Sequence, residues 1–311
     1  MTTHDANLDD VIDPELDKGV PHDRGASGGS PDMPDGLMQH QAELDRRAAG
    51  LTGADEGDGT VQLRSRRRGL PDDGREIVER HLAVWQLLDD DERERLLVIT
   101  DQLLSRKRWE AAQGFTLEDT VRVVIAAQAA LLVLNLDADH YRLVSAVVVH
   151  PSTLTVTGER AGLFHGSVSD EPLPVLGLAQ SGRGPVVVAW DQALAGASGT
   201  VPGHNVVLHE FAHKLDMLDG TIDGTPLLPR DVRDDWVRIC TEVYDDLISG
   251  HPRPPMRWYG ATNPGEFFAV ATEVFYEQSR ELRDAEPDLY GVLARFYRQD
   301  PAGRSVSRDR V

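Results

Sequence analysis

The chain has 311 residues, 40% of them hydrophobic, so it can bury a sizeable core in one or two domains of a water-soluble protein. A formal charge of −20 argues against nucleic acid as a partner, and the longest apolar stretch, Val123 to Leu134, is interrupted by Gln128 and falls short of the ~20 residues that span a bilayer. One cysteine, Cys240, permits no internal disulfide, and the start of the chain lacks a basic-then-apolar leader, so the expected compartment is the cytoplasm.

The first 60 residues carry 14 Asp and Glu against 4 Lys and Arg, among clusters of Gly, Ser and Pro. Such a segment has too little apolar surface to offset the entropy of ordering, so residues 1–69 are expected to form a disordered acidic tail. It ends in Arg64-Ser65-Arg66-Arg67-Arg68, which could touch an acidic partner or RNA but reads better as a solvated linker. The folded body is expected over residues 70–301, with 302–311 as a flexible C-terminal tail.

Helical periodicity opens the body. Ile77, His81, Val84 and Leu88 share one face, and Leu96, Leu97, Ile99 and Leu103 form a second apolar series. Thr116-Leu117-Glu118-Asp119 has the pattern of a cap for a buried helix from 117 to about 135. Between 141 and 190 the pattern changes to β-branched runs, with strands expected at Val144–His150, Leu154–Thr157 and Pro185–Trp190. The last could be a core strand, or an edge strand whose Val186, Val187 and Val188 pair with an extended peptide. Helices follow at about 231–249 and from 264 and 287, separated by loops rich in Gly and Pro. The fold class is therefore α+β, mainly helical with a small mixed sheet.

One segment carries chemistry. His209-Glu210-Phe211-Ala212-His213 places two imidazoles on one face of a helix, one turn apart, where one metal ion can bridge them. Glu210 points about 100° round the helix from His209, away from the chelate but suited to taking a proton from a water beside the metal. The apolar flanks Val206-Val207-Leu208, Phe211-Ala212 and Leu215 mark a buried helix, which does not hold two histidines and a glutamate without partners.

The third ligand has two candidates. Asp219 stands six residues after His213, as in metalloproteases whose motif carries a glycine at the position of Asp216; here that glycine is missing. Glu266 follows Asn263-Pro264-Gly265 at the start of a helix, where it could reach the metal or close a capping box on Asn263. Asp216, three residues beyond His213, is a candidate to orient an imidazole or to cap a loop, and Glu273, seven beyond Glu266, to orient an imidazole.

The runs Gly184-Pro185-Val186-Val187-Val188-Ala189-Trp190-Asp191, His209-Glu210-Phe211-Ala212-His213-Lys214-Leu215-Asp216 and Tyr259-Gly260-Ala261-Thr262-Asn263-Pro264-Gly265-Glu266-Phe267-Phe268-Ala269-Val270 resemble the Mlc titration factor A family of zinc peptidases. Ile125-Ala126-Ala127-Gln128-Ala129 and Phe296-Tyr297-Arg298-Gln299-Asp300-Pro301 add to the likeness, which spans roughly residues 75–301. The resemblance implies a zincin-like metallopeptidase domain with one Zn²⁺ per chain, held by His209, His213 and Glu266. It also implies Glu210 as general base, Tyr259 as a donor to the oxyanion, and a peptide or protein as substrate. The family's name adds a second reading, a regulatory protein that sequesters a transcriptional repressor. Nothing in the likeness touches residues 1–69.

Deleting residues 1–69 is expected to leave the melting temperature and zinc content nearly unchanged, because that segment has few groups with which to join a core. A fall of many degrees in a thermal melt would place it inside the folded body.

Overall fold

The computed structural model describes residues 69–112, 114–152 and 184–305. Most of the expected acidic tail, its arginine linker, the strand expected at Leu154–Thr157 and residues 306–311 lie outside them.

The two amphipathic stripes become α1 (Gly74–His81) and α2 (Asp90–Arg106), separated by a 3₁₀ turn at Ala83–Leu87. Ile77, Leu88, Leu96, Leu97 and Leu103 are buried as the periodicity requires. Helix α2 starts on a full capping box. The Asp89 carboxylate accepts from the Glu92 amide at 2.7 Å, and Glu92 accepts from the Asp89 amide at 3.1 Å.

Helix α3 (Asp119–Leu132) runs through the interior, with every residue from Val123 to Leu134 buried. That is why the longest apolar run of the sequence is apolar on all sides. Its one polar interruption is half satisfied: the Gln128 amide nitrogen donates to the carbonyls of Val124 and Ala193 at 3.1 Å each, while its buried Oε1 has no donor among the described residues. The cap expected around Thr116 is not formed. Glu118 takes the N-cap position without a side-chain bond, and Asp119 pairs with Arg122 instead.

The sheet has three strands in the order β1 (Arg108–Ala111), β2 (Val144–His150) and β3 (Gly184–Ala189). Both pairings are parallel, so the mixed character expected of it is absent among the described residues. Between β1 and β2 the chain passes through α3, the crossover that parallel strands require. Strand β3 is, with β1, one of the two terminal strands among the described residues, and Pro185 near its start suits an edge. Its side chains alternate: Val186 and Val188 face the core at 1% exposure each, and Val187 is 39% exposed. A peptide added to this edge would meet the backbone of all three valines and the side chain of Val187 alone.

Trp190, expected to end the strand, begins α4 (Trp190–Ala197). Then come α5 (Val206–Asp216), α6 (Arg230–Ile248), α7 (Pro264–Glu277), α8 (Ser279–Ala285) and α9 (Pro287–Tyr297). Helix α5 packs on β3 and α7, while α9 closes on α6 through aromatic rings. Trp236 meets Phe268 and Phe296 edge-on, each at 5.6 Å between centroids. Truncating a ring such as Phe268, 1% exposed, would cost about 3–5 kcal/mol. The packed chain continues beyond residue 301, because Ala302 is buried and Arg304 bonds Glu92 and Gln299. The C-terminal boundary expected at 301/302 therefore moves outward by a few residues. No helix among the described residues is long and apolar enough to cross a membrane.

One loop fixes where α7 begins relative to α5. Gly224 has φ +75°, and a Cβ placed there would lie 2.4 Å from the carbonyl oxygen of Pro264. Its amide donates to Asp216 at 2.9 Å and its carbonyl accepts from the Trp236 indole at 3.1 Å. Gly250 shares the left-handed conformation, at φ +82°, but has open space around it. Gly250→Ala should cost ~1–2 kcal/mol from conformation alone. Gly224→Ala should lower the melting temperature by clearly more, since backbone must also move. Equal melting temperatures for the two variants would show that the loop yields without cost.

Candidate metal centre

Helix α5 is set by its first residue. Asn205 caps it, accepting from the Leu208 amide at 3.1 Å, so His209 and His213 fall one turn apart on one buried face. Their rings meet edge-on at 4.8 Å, with the two Nε2 atoms 3.2 Å apart. Glu266 reaches them from the first turn of α7. Its Oε2 lies 3.0 Å from His209 Nε2 and 3.6 Å from His213 Nε2, and one donor atom from each of the three residues falls within 4.8 Å of the others.

Asn263 accepts from the Glu266 amide at 3.0 Å, but the Glu266 carboxylate makes no return bond to Asn263. Half of the capping box is therefore made, and the side chain is free to face the histidines. Asp219 is elsewhere: it is exposed, and its carboxylate accepts from the Thr221 amide and hydroxyl at 3.0 and 2.8 Å.

These donors fit a zinc ion. Two ligand atoms ~2.0–2.1 Å from a tetrahedral ion stand ~3.3 Å apart, and the three separations here bracket that value. Two imidazoles and one carboxylate are also a donor set that Zn²⁺ favours. Glu210 Oε1 is a buried oxygen without a hydrogen-bond donor among the described residues, and Glu266 Oε2 has only the two imidazole nitrogens beside it, poorly aligned for a hydrogen bond; a cation relieves both.

Behind the histidines lies a second layer. Glu273 Oε1 accepts from His209 Nδ1 at 2.8 Å, which fixes the tautomer so that Nε2 faces Glu266. The same carboxylate accepts from Arg257 at 2.5 Å and, through Oε2, from the Asn205 amide at 2.6 Å. Burial would push Glu273 up, yet the His209 bond and the Arg257 charge hold it below the usual carboxylate range. For His209 itself burial works downward, and the carboxylates of Glu266 and Glu273 overcome it, holding the imidazole up to about 10. Glu266 is likewise driven upward by burial but kept well below normal by the two imidazoles.

The remaining sequence candidates divide. Glu210 is 5% exposed, and burial raises its carboxyl to about 8, with His209 pulling it back and Glu266 pushing it further up. Tyr259 belongs to the site, its ring 6.0 Å from that of His209; burial first, then Glu266, keeps its hydroxyl protonated far above neutral pH. Asp216 makes no bond to an imidazole. It holds the Gly224 amide, the loop-capping alternative, and His213 Nδ1 has no hydrogen-bond partner.

Three contributors escaped the sequence reading. Asn205 could have been found, as an N-cap residue directly before an apolar run. Arg257, which clamps Glu273 and also bonds His204, has no local signal. Lys214 is 3% exposed, its ammonium 3.9 Å from the Met217 sulfur; burial lowers its pKa and the charge of Glu210 opposes that.

The profile of the family described as "Glucose-regulated metallo-peptidase M90" matches residues 60–298. An uncharacterized protein of Synechocystis is 35% identical over 241 residues, covering 75% of this chain and 86% of its own. Mlc titration factor A of Serratia proteamaculans is 34% identical over 242 residues, 72% of this chain and 89% of the relative. Its namesake in Yersinia pestis is 33% identical over 230 residues, with 70% and 81% covered.

The geometry separates the two candidate third ligands by experiment. Glu266→Ala should lower zinc affinity by orders of magnitude while costing only about 1 kcal/mol or so of stability from the disturbed cap. Asp219→Ala should leave metal content alone. Elemental analysis showing zinc lost from the Asp219 variant and kept by the Glu266 variant would reverse the assignment.

Proposed function

Because the chain belongs to the glucose-regulated metallo-peptidase M90 family, we propose that it is a cytoplasmic zinc peptidase hydrolysing peptide bonds with Glu210 as general base. One observation carries this reading: His209, His213 and Glu266 converge on a single point beside a buried glutamate oxygen that has no donor.

His209 and His213 would hold the ion through Nε2, and Glu266 through its carboxylate. When bound, Zn²⁺ supplies a Lewis acid that polarises the scissile carbonyl and lowers the pKa of a water to about 7. Glu210 takes the proton of the attacking water and passes it to the leaving amine. Its burial suits the task, since a carboxylate raised to about 8 is a far stronger base than a solvated one, and a neighbouring cation draws it back toward neutrality. Tyr259 remains a phenol at neutral pH and donates a hydrogen bond to the developing oxyanion, a contact worth ~10²-fold or more in rate. Glu273 keeps the His209 ring oriented throughout. The edge of β3 offers backbone groups to an extended substrate, with Val187 in contact and Val186 and Val188 bearing on it only through their backbone.

The name of two relatives favours a second reading, in which the protein binds a transcriptional regulator and hydrolysis is secondary. Glu210→Gln distinguishes them. The amide removes the base and keeps all three ligands, so peptide hydrolysis should fall ~10²-fold or more at unchanged zinc content and melting temperature. Wild-type turnover in the zinc-replete variant would sink the assignment of the base. A wild-type protein inert toward a broad peptide library would shift the weight to binding.

A further inference from the structure

At the C-terminal end of α2 lies a cleft of about 110 Å³ that the proposed reaction does not use. It is lined by Ile99, Gln102, Leu103 and Arg106 from α2, by Lys107, and by Asp139, Tyr141 and Arg142 from the 3₁₀ turn Ala138–Tyr141 and the residue after it. Three cations against one carboxylate leave a local charge of +2 on a chain whose formal charge is −20. Basic residues at a helix C-terminus are ordinary, because they offset the helix dipole. That accounts for Arg106 and Lys107. It does not account for Arg142, brought from another element to the same apolar-floored cleft.

The cations are under-used by the protein itself. Arg106 has no hydrogen-bond or ion-pair partner among the described residues. Lys107 donates to the Tyr141 carbonyl at 2.5 Å, and Arg142 makes one long bond, 3.3 Å, to the Leu218 carbonyl. Burial and then the neighbouring charge of Arg106 push the Lys107 pKa down, a crowding that an anion between them would relieve. The Gln102 amide has a buried oxygen with no donor, so the cleft also has an unmet demand for an O–H or N–H group.

We propose that this cleft binds a small phosphate monoester carrying a hydroxyl group, with its phosphate on Arg106, Lys107 and Arg142 and its hydroxyl on Gln102. A dianion matches the +2 charge, and guanidinium groups bind phosphate oxygens through charge-assisted hydrogen bonds. The space corresponds to several water molecules, enough for a phosphate and a short carbon chain. The apolar floor of Ile99, Leu103 and Tyr141 takes the chain. The site is independent of the metal centre in its chemistry but touches the same helix, since the Tyr141 ring meets Phe211 edge-on at 4.9 Å.

Calorimetric titration of the full-length, zinc-loaded protein with glycerol 3-phosphate tests this, with glycerol and inorganic phosphate as comparison ligands. Glycerol 3-phosphate should saturate one site, more tightly than inorganic phosphate, and glycerol should give no binding heat. Arg106→Gln, on an exposed side chain without partners, should weaken binding ~10-fold at unchanged melting temperature, and Arg142→Gln similarly. No saturation below ~10 mM, or an affinity untouched by both substitutions, would overturn the proposal. Inorganic phosphate binding as tightly as the ester would remove the role given to Gln102 and the apolar floor.

Discussion

The buried carboxylate of Glu273 ties together everything that makes the metal centre a defined object. It reaches from α7 to α5 and touches that helix twice, at the amide of its N-cap Asn205 and at Nδ1 of His209. The first contact fixes where α5 starts, and the second fixes how one imidazole is turned. Both use an anion at 3% exposure, which survives there because it accepts three hydrogen bonds and faces Arg257. Position and orientation of His209 are therefore not independent. A change that loosens the pairing of α5 with α7 would disturb the cap, the tautomer and the distance to Glu266 together. Asp216 and Gly224 secure the other end of the same helix, where the loop after α5 presses on the backbone at Pro264.

How much of this could be read beforehand depended on whether the signal was local. Helix periodicity put His209 and His213 on one face and Glu210 off it, and the buried character of α3 followed from an apolar run too short for a membrane. Local spacing does not separate Glu266 from Asp219, because both sit at plausible places; only the family resemblance favours Glu266, and in the folded chain Asp219 turns to Thr221. Arg257 and Glu273 are 16 residues apart, and His209 and Glu273 are 64 apart. Pairings at such range leave no periodic trace. Strand β1 was invisible for another reason, since Arg108-Trp109-Glu110-Ala111 is only four residues long, too short for its polar–apolar alternation to stand out, and its burial does not follow that alternation. Only its partner β2 makes it a strand. The expected helix cap at Thr116 failed because the pattern there is common and Asp119 had a better partner in Arg122.

Four carboxylates share the space between α5 and α7, and the fold sorts them by what each one faces. Glu266 and Glu273 meet imidazoles and a guanidinium and stay ionised. Glu210 and Glu277 make no direct bond to a cation among the described residues, and burial lifts them to about 8 and about 7. In a medium that poorly solvates charge, a carboxylate either finds a cation or takes up a proton, and this division lets one site hold ionised and proton-binding groups made of the same side chain. The protein supplies Arg257 on Glu273 at the rear of the cluster and Lys214 near Glu210. The charge available between the two Nε2 atoms and Glu266 Oε2 is the proton that the carboxylates hold on the His209 imidazole up to about 10, one positive charge against Glu266 and Glu273. A doubly charged ion at that point would offset Glu266 directly and Glu210 at longer range. Charge balance in the buried cluster thus favours a further cation at that point, alongside the spacing of the three donor atoms.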